Sequence, residues 1–172
     1  MKEIYYDIFD SSIGTILVAS TGLGLCLVSI NREGRTGVLK ELSLWPEFKP
    51  VGDTMMHSEL KADIRRYLNG ERVRFKVELD ISIGTEFQRL VWRELLNIPY
   101  GETRSYKQIG EQICCPRASR AVGQANGRNP LPIIIPCHRV INSNGSLGGY
   151  SGGIEIKKKL LAIEGIQNVG QA

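Results

Sequence analysis

This chain is poor in the residues that metal sites and disulfide frameworks are built from. It has two histidines, His57 and His138, and four cysteines, Cys26, Cys114, Cys115 and Cys137, with no C-x-x-C pair. So few donors make a zinc site hard to assemble, and no metal is predicted. Adjacent Cys114-Cys115 is a poor start to a disulfide framework, and free thiols in a reducing compartment are the simpler reading. No apolar run approaches the roughly 20 residues of a membrane span. Met1–Asp7 carries acids where a signal peptide would carry an apolar core. The sequence therefore predicts an intracellular protein, cytoplasmic, or nuclear in a eukaryote, with no membrane partner.

Acids are also missing from one long stretch. None occurs between Glu111 and Glu155, while that span holds Arg117, Arg120, Arg128 and Arg139. Residues 1–84 carry 11 Lys and Arg against 12 Asp and Glu, a net of −1; residues 85–172 carry 11 against 6, a net of +5. A basic, acid-free surface suits a polyanion, although clustering in a Gly-rich loop region would look the same. A length of 172 residues with 42% hydrophobic residues is enough for one large or two small soluble domains with an ordinary core.

What is present divides in two. Ile4–Phe9, Gly14–Ser20 and Leu25–Ile30 read as strands, the last two joined by a turn at Thr21-Gly22-Leu23-Gly24. Residues 33–44 are weakly helical, and Pro46 and Pro50 mark a loop. Leu60, Ile64, Tyr67 and Leu68 share one face of a helix from Ser58 to Asn69. His57 stands alone, as a surface or helix-start residue. Arg72–Leu79 alternates Val73, Phe75, Val77 and Leu79 with charged residues, the period of a half-buried strand. This makes residues 1–80 an α/β domain with a mostly antiparallel sheet. Residues 81–172 form a second, mainly α domain, with the boundary at Ile81–Gly84. Thr85 followed by Gln88, and Ser105 followed by Gln108, are capping-box patterns that open two helices. The first has Phe87, Leu90, Val91 and Leu95 on its inner face. Pro116 reads as the first-turn proline of a third helix ending near Asn126, with Gly127 as its cap. The turn at Cys114-Cys115 then makes a helix-turn-helix. Arg117 and Arg120 lie among the small residues Ala118, Ser119, Ala121 and Gly123, a surface that can approach a DNA backbone or, equally, pack inside the protein. A last helix runs from about Ile154 to Ile163, and the tail from Gln167 is expected to be loose.

Between these helices lies Ile133-Ile134-Ile135-Pro136-Cys137-His138-Arg139-Val140. The apolar run reads as a buried strand or core-wall segment, broken by Pro136. Cys137 can be a buried structural thiol or a nucleophile, which needs a base or positive charge beside it. In an extended segment His138 would face away from the sulfur, so a turn is required to join them. The glycines of Gly148-Gly149-Tyr150-Ser151-Gly152-Gly153 read as a loop whose backbone meets a ligand, or as plain flexibility.

Taken together, these motifs resemble the O6-alkylguanine-DNA alkyltransferases (methylated-DNA–protein-cysteine methyltransferases). Pro136-Cys137-His138-Arg139-Val140 follows Asn129-Pro130 and precedes Gly149-Tyr150-Ser151-Gly152-Gly153. Gly84-Thr85-x-Phe87-Gln88, Tyr100-Gly101-x-x-x-Ser105-Tyr106, Arg120-Ala121-Val122-Gly123 and Leu160-Leu161-x-x-Glu164-Gly165 match in the same order. The resemblance implies a ribonuclease H-like N-terminal domain and a winged-helix-like helix-turn-helix. It implies direct reversal of DNA damage without a cofactor, by a monomer bound in the minor groove of duplex DNA. An alkyl group on O6 of guanine, with O4 of thymine as a second candidate, would pass irreversibly to Cys137 after base flipping. By position, His138 would be the base, through a water, and Glu164 its orienter; Tyr106 would protonate the departing guanine and Asn129 would brace the nucleophile's loop. Val140, Tyr150, Ser151 and Lys157 would contact the substrate. Arg120 would fill the stack, with Arg117, Ser119, Ala121, Gly123 and Arg128 against DNA. Asn126 departs from the pattern, being polar where some relatives are apolar. A binder lacking the nucleophile and a Cys-His hydrolase are the alternatives. Cys137 speaks against the first and the helix-turn-helix against the second.

Overall fold

The computed structural model describes residues 2–167 and 169–170, so part of the tail beyond Gln167 lies outside the described residues. The chain divides into two compact units, residues 1–81 and 82–172.

In the first unit, β1 (Lys2–Ser11), β2 (Gly14–Thr21) and β3 (Gly24–Asn31) form an antiparallel meander, followed by α1 (Arg35–Ser43), β4 (Phe48–Gly52) and α2 (Ser58–Leu68). The sheet order is β3-β2-β1-β4, with β4 parallel to β1. Ile16, Leu17, Val18 and Ala19 of β2 are all buried, because both faces of this strand are covered. Ile4, Leu17, Ala19 and Cys26 meet Val38 and Leu42 of α1, while α2 lies along β1 and buries Leu60, Ile64 and Tyr67.

Three expectations for this unit are corrected. The segment around Pro46 and Pro50 is not all loop, since Phe48–Gly52 is an edge strand with Pro50 opposite Ile4. Proline is tolerated there because an edge strand needs fewer ladder donors. Arg72–Leu79 is not a strand of the sheet. Its alternation is real, with Val73, Phe75, Val77 and Leu79 half-buried between exposed charged residues. Among the described residues it pairs with the sheet at one bridge, Leu79 beside Leu25, with Leu25 N–H donating to Glu78 O and Asp80 N–H to Leu25 O, both at 2.8 Å. A period of two reports which face is covered and not whether a ladder forms. His57 does begin α2 but is buried, its Nε2 2.9 Å from Ser20 Oγ.

The second unit contains α3 (Glu86–Leu95), β5 (Arg104–Ser105), α4 (Tyr106–Gln112), α5 (Ser119–Gly127), a 3-10 turn at Cys137–Arg139, β6 (Val140–Ile141) and α6 (Ile154–Ile163). Both capping boxes form: Thr85 with Gln88 opens α3, and Ser105 with Gln108 opens α4. On α3, Leu90 faces outward. Trp92 takes the inner position instead, its Nε1 donating to Ala125 O of α5 at 2.8 Å. Among the described residues no helix is long and apolar enough to cross a membrane.

The helix-turn-helix is present with its second helix shifted. After α4, Cys114 adopts φ 61°, Cys114 N–H bonds Glu111 O at 3.0 Å and Cys115 N–H bonds Gly110 O at 2.7 Å. This is a Schellman closure with cysteine where glycine is usual. The chain leaves it in a turn through Pro116 and Arg117, and α5 starts only at Ser119. Arg117 therefore precedes the helix rather than riding on it.

Candidate active site and nucleic-acid interface

The Ile run is neither strand nor helix. Residues 131–135 form turns that wall the core, with Ile133 at φ 75° and Ile133, Ile134 and Ile135 buried. Asn129 holds these turns closed. Its Nδ2 donates to Ile135 O at 2.8 Å and its Oδ1 accepts from Leu131 N–H at 2.9 Å. The chain then enters the 3-10 turn that begins at Cys137, and Cys137 is only 1% exposed. This turn replaces the extended geometry in which successive side chains point apart.

Two parallel residues of ladder place the other face of the site. Arg104 pairs with Val140 and Ser105 with Ile141. β5 runs directly into Tyr106 at the start of α4, and β6 leaves directly from the Cys137 turn. The pairing thus sets Tyr106 beside the Cys137 segment. Nothing in two residues of sequence signals such a ladder.

From the other side, α6 packs on the 3-10 turn and supplies two buried charges. Glu164, at its C-cap, lies with Oε1 2.8 Å from His138 Nε2. Its carboxylate also accepts from Arg139 Nε and Nη2, each at 2.9 Å to one oxygen, and from the Gly101 N–H at 3.0 Å. Arg139 Nη1 reaches Ile98 O at 2.6 Å. Lys157 is fully buried and donates to Val140 O at 2.6 Å, Leu147 O at 2.5 Å and Gly149 O at 3.4 Å. It pins the segment from the Cys137 turn to the Gly-Tyr-Ser loop.

These surroundings set protonation states. Burial pushes the Cys137 thiol up from its usual value, while the Asn129 side chain, the Lys157 charge and the Tyr150 hydroxyl pull it down less strongly. Burial pushes the His138 imidazole down against the pull of Glu164. A neutral thiol and a neutral imidazole thus sit in one buried segment, and such an imidazole can take a proton. Burial and the nearby Cys137 raise Tyr106, which keeps its phenol protonated and able to donate. Burial lowers Lys157 to about 8.

A cleft of about 620 Å³ opens above this segment, lined by Tyr106 and Lys107 of α4, Ser119, Arg120, Gly123 and Asn126 of α5, and Gly149 and Tyr150. Arg117, Arg120, Ala121 and Arg128 are exposed, Ser119 and Gly123 are half-exposed, and of these Ser119, Arg120 and Gly123 line the cleft. Ser151 is exposed on the turn 151–152 and is not among the residues lining the cleft. Val140 is buried, its carbonyl taken by Lys157.

Two residues of the site went unassigned from sequence. Arg139 reads in sequence as part of the basic surface, but its guanidinium is turned inward onto Glu164. Asn126 Nδ2 donates to Cys137 O at 3.2 Å, and its only sequence signal is a polar residue at a helix position that is otherwise apolar. Among the described residues no three His, Cys, Asp or Glu side chains are placed to hold a metal ion.

Comparison with known proteins places this geometry. The 6-O-methylguanine DNA methyltransferase DNA binding domain profile matches residues 86–166, and the ribonuclease-like domain profile of the same methyltransferase matches residues 4–81. A methylated-DNA–protein-cysteine methyltransferase of Methanosarcina acetivorans is 44% identical over 162 residues, covering 94% of this chain and 99% of that protein. One from Mycobacterium bovis is 45% identical over 161 residues, covering 94% and 92%. The crystal structure of Mycobacterium tuberculosis OGT in complex with DNA is similar with a TM-score of 0.78 and 41% identity, covering 97% of this chain and 96% of that one.

Proposed function

The chain belongs to the 6-O-methylguanine DNA methyltransferase family, and from that premise we propose that Cys137 is the residue that takes the methyl group from damaged DNA. The activity is direct-reversal repair, a methylated-DNA–protein-cysteine methyl transfer. The observation that carries the assignment is the buried Cys137 turn, with the His138–Glu164 pair at 2.8 Å on one side and the Tyr106 cleft on the other.

The step balances simply. His138 takes the thiol proton, through a water, and the sulfur attacks the methyl carbon of O6-methylguanine. The S–C bond forms as the C–O6 bond breaks, and Tyr106 gives a proton to the departing guanine. Glu164 holds the imidazole and balances the charge it gains. The product is a thioether, so each molecule acts once. A sulfur 1% exposed cannot reach an atom inside a base stack, so the base must be turned out into the cleft. Arg120 fills the space it leaves, as wedge residues do from the minor groove. Ser119, Ala121 and Gly123 bring α5 close to the backbone, and Arg117 and Arg128 meet phosphates. Tyr150 walls the base, the Ser151 backbone region contacts O6, and Val140 and Lys157 keep the wall in place. O4-alkylthymine is the secondary substrate and the protein acts as a monomer. The first unit is read as ribonuclease H-like and the helix-turn-helix as winged-helix-like, the latter on the support of the β5–β6 pair beside it. The protein is read as cytoplasmic, or nuclear in a eukaryote, where its DNA substrate lies.

The test is stoichiometry. Duplex DNA carrying a methyl-labelled O6-methylguanine is incubated with increasing protein. One equivalent of label should move to each protein molecule and then stop. Turnover beyond one equivalent, or label retained on bound DNA, would contradict this reading.

A further inference from the structure

The turn that follows α3 closes around Glu164 and Arg139, on the side of the His138–Glu164 pair away from the cleft residues. Ile98 O accepts from Arg139 Nη1 at 2.6 Å, and the Gly101 N–H donates to Glu164 Oε2 at 3.0 Å. Between these two backbone contacts stands Tyr100, half-buried. Its ring lies under the Arg139 guanidinium, with Cζ 5.9 Å from the ring centroid. Its hydroxyl donates to Ile163 O at 2.9 Å. The hydroxyl contact completes the end of α6. A helix leaves its last four carbonyls without partners inside the helix. Here the backbone N–H groups of Glu164, Ile166 and Gly165 serve Leu160 O, Leu161 O and Ala162 O. Tyr100 serves the fourth, Ile163 O.

Each contact bears on one partner of the pair. The peptide plane that carries the Ile163 carbonyl also carries the Glu164 N–H, so holding that carbonyl fixes where the Glu164 side chain leaves the helix. Arg139 directly follows His138 in the 3-10 turn, and its side chain is only 12% exposed. A cation over a ring face is attracted by the ring's quadrupole, the more so when water is excluded. The ring thus holds the guanidinium where it grips the carboxylate. A carboxylate only accepts, so His138 Nε2 carries the proton shared with Glu164, and Nδ1 is the ring atom left to act as base. Resting on the alkyltransferase reading of this site, we propose that Tyr100 is a positioning residue for methyl transfer, which uses its ring on Arg139 and its hydroxyl on Ile163 O to hold both ends of the His138–Glu164 hydrogen bond in register. Tyr100 is not among the residues lining the cleft, so its replacement should act on the transfer step and not on DNA affinity.

Single-turnover transfer from duplex DNA carrying O6-methylguanine is measured with the protein in saturating excess. Duplex affinity and the low-field proton resonance of the His138 Nε2–H are recorded on the same variants. Tyr100→Leu removes both contacts and should slow transfer about ten-fold, the scale of a small misplacement of a reacting group. Its duplex affinity should be unchanged and its His138 resonance should move upfield. Tyr100→Phe keeps the ring and loses one neutral hydrogen bond, so transfer should slow only about three-fold, with the resonance moved part of the way. Full-rate transfer by a folded Tyr100→Leu protein would overturn the proposal, as would a loss that lies in DNA affinity. Slower transfer with the His138 resonance unmoved would mark Tyr100 as merely structural and overturn it too. If Tyr100→Leu fails to fold, the near-isosteric Tyr100→Phe carries the test alone, and an unaltered rate and resonance there would overturn the proposal. Failure of the unaltered protein to accept methyl from O6-methylguanine at all would instead sink the alkyltransferase reading on which the proposal rests.

Discussion

Glu164 is gripped by Arg139 and by the Gly101 amide, so that one oxygen is presented to His138 at a fixed angle. Replacing it by Gln puts an NH2 group against donors on at least one side. Glu164→Gln should therefore lose about 3 kcal/mol of stability, as breaking buried pairs does, and slow methyl transfer. Full transfer at unchanged stability would remove Glu164 from the account. Protonation gives a second test. The imidazole is held neutral by burial, its pKa below the ordinary 6.5. Transfer should hold as pH falls to that value and decline only lower, where His138 is already protonated. Stability should follow the same sign. The unfolded chain takes up the proton first as pH falls. The stability contributed by a neutral His138 is therefore complete above 6.5 and lost as pH drops through the lower folded value. A rate that rises on acidification would contradict the base role. Lys157→Met should cost about 2–3 kcal/mol, because the Val140 and Leu147 carbonyls lose a buried donor. Little of this residue-level wiring can be read in the chain. Arg139 is one of four arginines in an acid-free span, and nothing local distinguishes the one whose partner lies 25 positions away.

At the level of elements, local chemistry was legible where a short pattern determines a bond. The Thr85–Gln88 and Ser105–Gln108 boxes form as written. Removing either cap should cost about 1 kcal/mol, but the two should differ in function. Ser105→Ala loosens the turn that carries Tyr106 and should slow transfer, whereas Thr85→Ala should lower thermal stability with little change in rate. Equal effects on rate would mean that α4 does not position Tyr106. Gly148→Ala is a sharper test of the same contact. At φ 68° a Cβ would lie 2.8 Å from the Tyr106 hydroxyl, so the variant should displace the phenol and depress transfer strongly. Patterns that a neighbouring closure or a distant partner can override were misleading. Pro116 is a sound helix-start residue, yet the Schellman closure at Cys114 and Cys115 delays α5 to Ser119. Arg72–Leu79 alternates like a strand but reaches the sheet at one bridge, because periodicity records burial rather than pairing.

For the molecule as a whole, charge and chemistry fall in the same half. Residues 85–172 carry the net +5, and Cys137, His138 and the cleft all lie in the second unit. If Arg117 and Arg128 neutralise phosphates, replacing both by Gln should reduce the slope of log affinity against log salt by about 2, near 0.9 for each phosphate no longer neutralised. An unchanged slope would exclude them from the DNA interface. The division into an acid-balanced sheet unit and a basic helical unit was visible from composition and capping signals. The parallel pairing of β4 with β1 was not, since it joins segments more than 40 residues apart. The most direct measurement is the mass of the tryptic peptide Asn129–Arg139, which contains Cys137, after reaction with duplex DNA carrying O6-methylguanine. The account predicts that this peptide gains one methyl in place of a hydrogen and that Cys137→Ala protein gains none. A methyl group on any other peptide, or transfer by Cys137→Ala, would contradict it.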